Sequence, residues 1–474
     1  MRSTRFVALA FFHSLLVVAC AGLKVADQQP DDGVDGSTTE PGDELDAGAE
    51  GGSPDVATPD AGTPPADFEC PDDDWITATK VKAGCEARRV FEVDKNPPID
   101  ATGVSIARTP AGRIGIVYNS ADDAETSTMR IAHFVPSSPT FAAPQIVRGP
   151  EGLYMQYGYV TKIAAAAPDE LLVLAHDVDS AAGSGPVNLY ALADGQEPLG
   201  EPDLVLAGVQ SRTELGLVVD GAGNTVATAL VATGASTAKL SARRRAVAGS
   251  FEPLPDVATD LLRENRVEPG AASLVADATG QVHLLFHHVV TQFHSTPRYH
   301  SLDGTTWSYR KTVDNNALDG LSGTSPRLAI FGTKKLAAYF FRKGGQTTPV
   351  TADLRLATWD TSSNTPKIEI LDQSIPSTTD FPPSHAVAMA VDKYGLVHLA
   401  IARPTAANRG YLEYRRQTRT KDGTTKWLSD IVDPEALTTE RAFVDMVVDD
   451  DARPHIAYRS AKDGLVRYAT RFDR

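Results

Sequence analysis

Apolar residues in this chain come in short runs, broken at regular distances by Asp, Gly and Pro. The clearest example runs Val275-Ala-Asp277-Ala-Thr-Gly280-Gln-Val-His283-Leu-Leu-Phe286, where an apolar stretch meets Asp-x-x-Gly and a second apolar stretch follows. Two apolar runs joined in this way predict antiparallel strands around a tight turn. The Asp carboxylate can accept the turn's N–H groups, and Gly supplies the positive φ that a tight turn needs. Beyond the first twenty residues, apolar positions are not sustained at three- and four-residue spacing, which argues against helices.

The same phrase returns as Val391-Asp392 through Gly395 and His398 to Ile401, and as Val448-Asp449 through Ala452 and His455 to Tyr458. Weaker copies end at Tyr118, Leu174, Ala229 and Tyr339. The seven end points are 56, 55, 57, 53, 62 and 57 residues apart. Each hairpin is followed by two more strand-like runs, such as Arg298 to Leu302 and Trp307 to Asp314. Four short strands per repeat at this period predict an all-β, seven-bladed β-propeller over residues 86–474, with four antiparallel strands per blade.

The two ends of the repeat region predict how the ring closes. Only 16 residues follow Tyr458, too few for a complete last blade. The segment Arg88 to Asp94 resembles no hairpin, but it ends apolar-Asp, as do the fourth-strand runs ending at Asp314, Asp372 and Asp433. Residues 86–94 are therefore expected to complete the last blade and to remove two open sheet edges.

Charge is distributed unevenly. Between Val25 and Thr79 there are sixteen acidic residues and no Lys or Arg, so this stretch holds the whole net charge of −16. It is rich in Pro, Gly, Ala, Ser and Thr, and up to Phe68 it has almost no large apolar side chain. Such a composition predicts a solvated, self-repelling tether over residues 20–69 rather than an acidic binding surface. The rest of the chain is neutral, which sets nucleic acid aside as a partner. Arg243-Arg244-Arg245 reads as a solvated strand.

Residues 1–19 have the parts of an export signal, with Arg2 and Arg5 before an apolar run from Phe6 to Val18. Val17-Val18-Ala19-Cys20 resembles the lipobox of bacterial lipoproteins. The resemblance implies cleavage before Cys20, a diacylglycerol on its thiol, and a membrane as partner through that anchor. Ala21, rather than Asp, favours the outer membrane of a Gram-negative cell. With Cys20 lipidated, Cys70 and Cys85 remain as an even pair, expected to form a disulfide across a lead-in of residues 70–85. Closing a loop of about fifteen residues would contribute roughly 3 kcal/mol in the chain-entropy treatment. The alternative is two free thiols or a metal pair, and no cluster of metal spacing lies nearby.

The repeat also carries residues that invite a chemical reading. His283, His398 and His455 share one repeat position, but their neighbours alternate apolar, so they are expected to form structural hydrogen bonds within packed sheets. Asp220, Asp277, Asp392 and Asp449 are accounted for by turn chemistry. Asp449-Asp450-Asp451 lacks the spaced ligand order of a calcium loop. No catalytic residue, metal site or cofactor is assigned.

Ser301-Leu-Asp303-Gly-Thr-Thr-Trp307 resembles a contracted Asp-box of the sialidase-like propellers, and Asp422 to Trp427 resembles a relative of it. The resemblance implies a structural turn. A sialidase would also need converging arginines, for which Arg108, Arg212, Arg327 and Arg403 are candidates that the sequence does not bring together. The candidate ligand surface lies instead in two aromatic-rich connections, one with Tyr154, Tyr157 and Tyr159, the other with His287, His288, Phe293 and His294. Rings in connecting segments suit contacts with a glycan or a protein. The expected function is a membrane-anchored, extracytoplasmic binding module. The alternatives are a sialidase-like glycan-active enzyme and a structural envelope protein.

Overall fold

The structure is a computed structural model and describes residues 87–94 and 100–472, apart from short stretches between strands such as 122–126, 152–160, 211–213, 263–271, 292–293 and 378–385. Segments 1–19 and 20–69 and the whole lead-in of 70–85 lie outside the described residues. So do Cys20, Cys70, Cys85, Tyr154, Tyr157, Tyr159 and Phe293. The described residues form strands, turns and bends and no helix, hence no helix able to cross a membrane.

The strands group into seven antiparallel blades: 100–151, 162–210, 215–262, 272–312, 320–377, 387–437 and 444–472 with 87–92. In each, the first two strands form the predicted hairpin, closed by an Asp turn in blades 3, 4, 6 and 7. In blade 4 these are Ala272–Ala276 and Val282–Thr291, followed by His294–Asp303 and Thr306–Thr312. The fourth strand is broken in two in blades 1 and 3. The first strands of successive blades touch in a closed cycle, the last meeting the first, so they surround the ring axis and the fourth strands form the outer wall.

Blade 7 is completed as the sequence predicts. Ala87–Glu92 pairs antiparallel with Val466–Phe472, from Ala87 opposite Phe472 to Glu92 opposite Arg467. Phe91 packs against Phe134 of blade 1 and Tyr468 of blade 7, with ring centroids 5.6 and 6.0 Å away. The closing strand thus belongs to a core shared by the first and last blades. Burial of apolar side chains between neighbouring blades repeats around the ring and is the main source of stability.

Polar clasps reinforce these interfaces. The Asp that ends a fourth strand accepts hydrogen bonds from the next blade. Asp94 accepts from Tyr118 (2.9 Å), Asp314 from Tyr339 (2.9 Å) and Arg355 (2.8 Å), and Asp433 from Tyr458 (2.9 Å) and Arg467 (2.9 Å). Where the second strand of blade 6 has Ile401 in place of Tyr, Asp372 takes Arg403 and Arg415 instead. The apolar-Asp ending that marked Arg88 to Asp94 as a fourth strand is the signature of this clasp. Charge-assisted hydrogen bonds of this kind are stronger than neutral ones and fix blade-to-blade register.

Candidate functional site

The repeated Asp and His turn out to be bonded to each other. Asp277 Oδ1 accepts the N–H groups of Thr279 (2.9 Å) and Gln281 (3.0 Å), which closes the turn. Its second oxygen lies 3.0 Å from His283 Nε2, and His283 Nδ1 lies 2.7 Å from the Tyr299 hydroxyl on the third strand. The same chain links Asp392, His398 and Tyr414, and Asp449, His455 and Tyr468. A carboxylate only accepts, so Nε2 carries the proton and Nδ1 accepts from the tyrosine.

Burial lowers the pKa of all three imidazoles, against the pull of the Asp carboxylates. Burial also pushes the Tyr299 hydroxyl up to about 12. Neutral, enclosed and fully bonded, these side chains tie turn to sheet and leave no group for a substrate. Blade 3 has Val226 where these blades have His, and its turn carboxylate, Asp220, takes Arg244 at 3.3 Å and Asn224.

A different set of charges meets at the ring axis. Lys162 opens the first strand of blade 2 (Lys162–Ala167), and Glu214 immediately precedes the first strand of blade 3 (Leu215–Val219). Arg327 and Asp445 lie on the first strands of blades 5 (Gly320–Phe331) and 7 (Val444–Val448). Lys162 feels the charges of Arg327, Asp445 and Glu214 together, although blades 2 and 5 are not neighbours in the ring. Groups on blades so far apart in the ring come within range only where their side chains point to the axis.

Burial lowers the Lys162 ammonium pKa, with Arg327 adding to the effect and Asp445 and Glu214 opposing it. Arg327 is likewise lowered by burial and supported by the same two carboxylates. Asp445 is fixed in place, accepting from Ser105 Oγ at 2.7 Å and the Ile106 N–H at 3.1 Å, both on blade 1. Arg327 Nη1 donates to its neighbour's carbonyl, Pro326 O, at 3.0 Å. The result is two cations and two carboxylates from four blades, in a partly enclosed site where charge interactions are weakly screened.

Ring register shows why repeat reading passed over these residues. Arg327 and Asp445 pair with Ala338 and Ala457, one residue before the end points Tyr339 and Tyr458. The same layer holds Ser105, Ile163, Gly216, Ser273 and Ala388 in the other blades. A charge replacing a small or apolar residue at one layer of an inner strand is visible in the sequence only once the copies are aligned.

The four arginines suited to a sialidase are not brought together. Arg108 pairs with the exposed Asp450 at 2.8 Å. Arg403 is held at the interface of blades 5 and 6 by Glu413 and Asp372, and Arg212 lies outside the described residues. Of the described three, Arg327 alone joins the axial cluster.

His287, His288 and His294, expected in a connection, stand on strands, because the hairpin of blade 4 continues to Thr291 and resumes at His294. Alternation separates them. His287 is 2% exposed on the face with His283 and Leu285, whereas His288 is half-buried on the opposite face with Phe286.

Ring, clasps and axial charges together define a seven-bladed β-propeller closed by its N-terminal strand, with a mixed-charge cluster at its centre. No protein-family model matches the chain, and no curated protein matches it in sequence. Among solved structures it is similar to a protein of unknown function from Dyadobacter fermentans DSM 18053 at 11% identity and a TM-score of 0.48, covering 82% of this chain and 99% of that one. It is also similar to Hadza microbial sialidase Hz136, at 10% identity and a TM-score of 0.46, covering 80% of this chain and 68% of that one. Polysaccharide lyase Uly1 is a third, at 8% identity and a TM-score of 0.49, covering 81% and 92%. Likeness at this level does not say what this chain binds.

Proposed function

We propose that this chain is an exported protein, anchored by lipid on Cys20, whose propeller is a binding module for a small polar ligand at the ring axis. The observation that carries the binding reading is the convergence of Lys162, Glu214, Arg327 and Asp445 from four blades. The Lys162 ammonium adds to it, since it interacts with the other charges without a hydrogen bond to any described residue. A ligand offering acceptors to Lys162 and donors to the carboxylates would complete the set. The export and anchoring reading rests on the basic start, the apolar run and Cys20, with the acidic segment as spacer.

A glycan-active enzyme of sialidase type has less support, because Arg108 and Arg403 are engaged elsewhere. The test is a screen of the purified protein on an array of acidic and neutral glycans, beside Lys162→Met and Asp445→Asn. Binding that disappears in the variants while thermal unfolding is retained supports the axial site. No binding to any glycan, together with no turnover of fluorogenic glycosides, sinks both the glycan-binding and the enzymatic reading. Metabolic labelling with palmitate tests the anchor, and label surviving Cys20→Ser would exclude it.

A further inference from the structure

One face of blade 4 gathers nitrogen-bearing side chains that the fold leaves without partners. In the register of its strands, Phe286 lies opposite Arg298, His288 opposite Thr296 and His300 opposite Tyr309. Two-residue alternation then sets Phe286, His288, Arg298, His300 and Tyr309 on one side of the sheet. That side packs toward blade 3, where Leu284 and Phe286 share a core with Leu240 and Ala242. The rings are close: Phe286 to His288 is 6.1 Å, Phe286 to His300 5.4 Å, and His300 to Tyr309 5.5 Å.

His300 is 6% exposed, and neither of its ring nitrogens has a hydrogen-bond partner. His288 Nδ1 and Arg298 Nε are also buried without a partner beyond their own residues, as is His294 Nε2 at the start of the third strand. Arg298 makes no ion pair among the described residues, and its one contact of note is the Tyr309 ring, 5.9 Å from the guanidinium carbon. Burial first and then Arg298 hold His288 and His300 down to about 4. The charged neighbours these imidazoles feel are Arg298, His294 and one another, with no carboxylate among them.

Buried N–H groups left unmade are costly, so such a set implies an occupant. A divalent metal does not suit it, because the guanidinium repels a dication and no described cluster has metal-holding geometry. An acceptor with negative charge suits every member: the guanidinium donates as a cation, and each neutral imidazole can turn one N–H toward it. Access exists at the outer edge, where Tyr309 is 54% exposed and His288 and Arg298 are half-buried.

We propose that this face of blade 4 binds an oxyanion group, a carboxylate, sulfate or phosphate, held by Arg298, His288 and His300 with Tyr309 at its rim. The site goes beyond the axial cluster and stands or falls without it. The test titrates sodium acetate, sulfate and phosphate separately into the full chain in a buffer free of other oxyanions, against sodium chloride at matched ionic strength. Calorimetry and thermal unfolding are the readouts, and the three arms identify the group. At least one oxyanion should bind saturably, with affinity falling at least tenfold in Arg298→Gln and several-fold in His300→Phe, which keeps the ring packing. Lys334→Met, which removes an exposed cation on blade 5 outside both sites, should bind as the parent does. Should Arg298→Gln fail to fold, His300→Phe decides. No saturable response to any of the three anions, or an affinity unchanged by these substitutions, overturns the site.

Discussion

Replacing Asp314 by Ala tests whether the interblade clasps hold the ring together. Asp314 is 0% exposed and ends the fourth-strand run of blade 4, and its carboxylate accepts from three groups of blade 5: Ser322 (3.1 Å), Tyr339 (2.9 Å) and Arg355 (2.8 Å). Without it, Arg355 remains largely buried over the Phe341 ring with a carboxylate only at Asp353, 3.7 Å away. Removing one partner of a buried pair costs about 3–5 kcal/mol, and the partial substitute at Asp353 places the expected loss near the lower end. Tyr339→Phe removes one donor and leaves the carboxylate its other two, so about 1 kcal/mol is expected. The double variant Asp314→Ala/Arg355→Met removes both charges and should recover part of the loss. Urea denaturation followed by fluorescence measures all three. In a domain this large each kcal/mol moves the thermal midpoint by only about 1–2 °C, so chemical denaturation is the sharper assay. A loss from Asp314→Ala no larger than that from Tyr339→Phe, or a double variant less stable than Asp314→Ala, would refute the clasp as an electrostatic device.

The buried imidazoles predict acid sensitivity: with pKa values lowered in the fold, His283, His398 and His455 bind fewer protons folded than unfolded once pH drops below about 6.5. Stability should therefore be full above that pH and decline below it, by up to about 1.4 kcal/mol per pH unit for each imidazole. The pH dependence of the urea midpoint should become shallower in His398→Gln, and an unchanged slope would count against the assignment. Deleting the chain through Asp94 should expose the edge of Val466–Phe472 and yield soluble aggregates or higher oligomers on size exclusion, and an unchanged monomer would contradict the closure. Gly395→Ala should cost more than Gly332→Ala: both have positive φ, at 77° and 56°, but the new methyl at 395 would lie 2.7 Å from the Phe331 ring, whereas at 332 it would meet open space. Equal unfolding midpoints for the two would contradict that packing.

Much of the fold was legible because propeller blades are local. A hairpin needs only its own apolar runs and turn residues, and Asp277, Gly280 and Phe286 carry that information within twelve positions. The closure was legible for a related reason: Asp94 belongs to a clasp that recurs at Asp314 and Asp433, so the ending of one strand identified the role of another. The bond from Asp277 to His283 was not legible, because a turn reading uses one carboxylate oxygen and says nothing of the second. Nor was the separation of His287 from His288, which requires knowing that the strand continues through them to Thr291.

The same logic explains why the axial cluster escaped notice and where function should be sought. A position that recurs in several blades answers to a constraint those blades share, and the shared constraints here are closing a turn, tying it to the sheet and clasping the next blade. Asp277, His283 and Tyr299 meet the first two, while Asp314, Tyr339 and Arg355 meet the third. Lys162, Glu214 and Arg327 meet none of them, and Asp445 meets the third only through Ser105 and Ile106 of blade 1, while blades carrying Ser105, Gly216, Ser273 or Ala388 in the layer of Arg327 and Asp445 also close and pack. Charge placed in the enclosed centre of a ring costs desolvation that small residues would avoid. Its presence in four of seven blades is more economically explained by something bound there than by the fold, and so is the uncompensated Arg298 on blade 4.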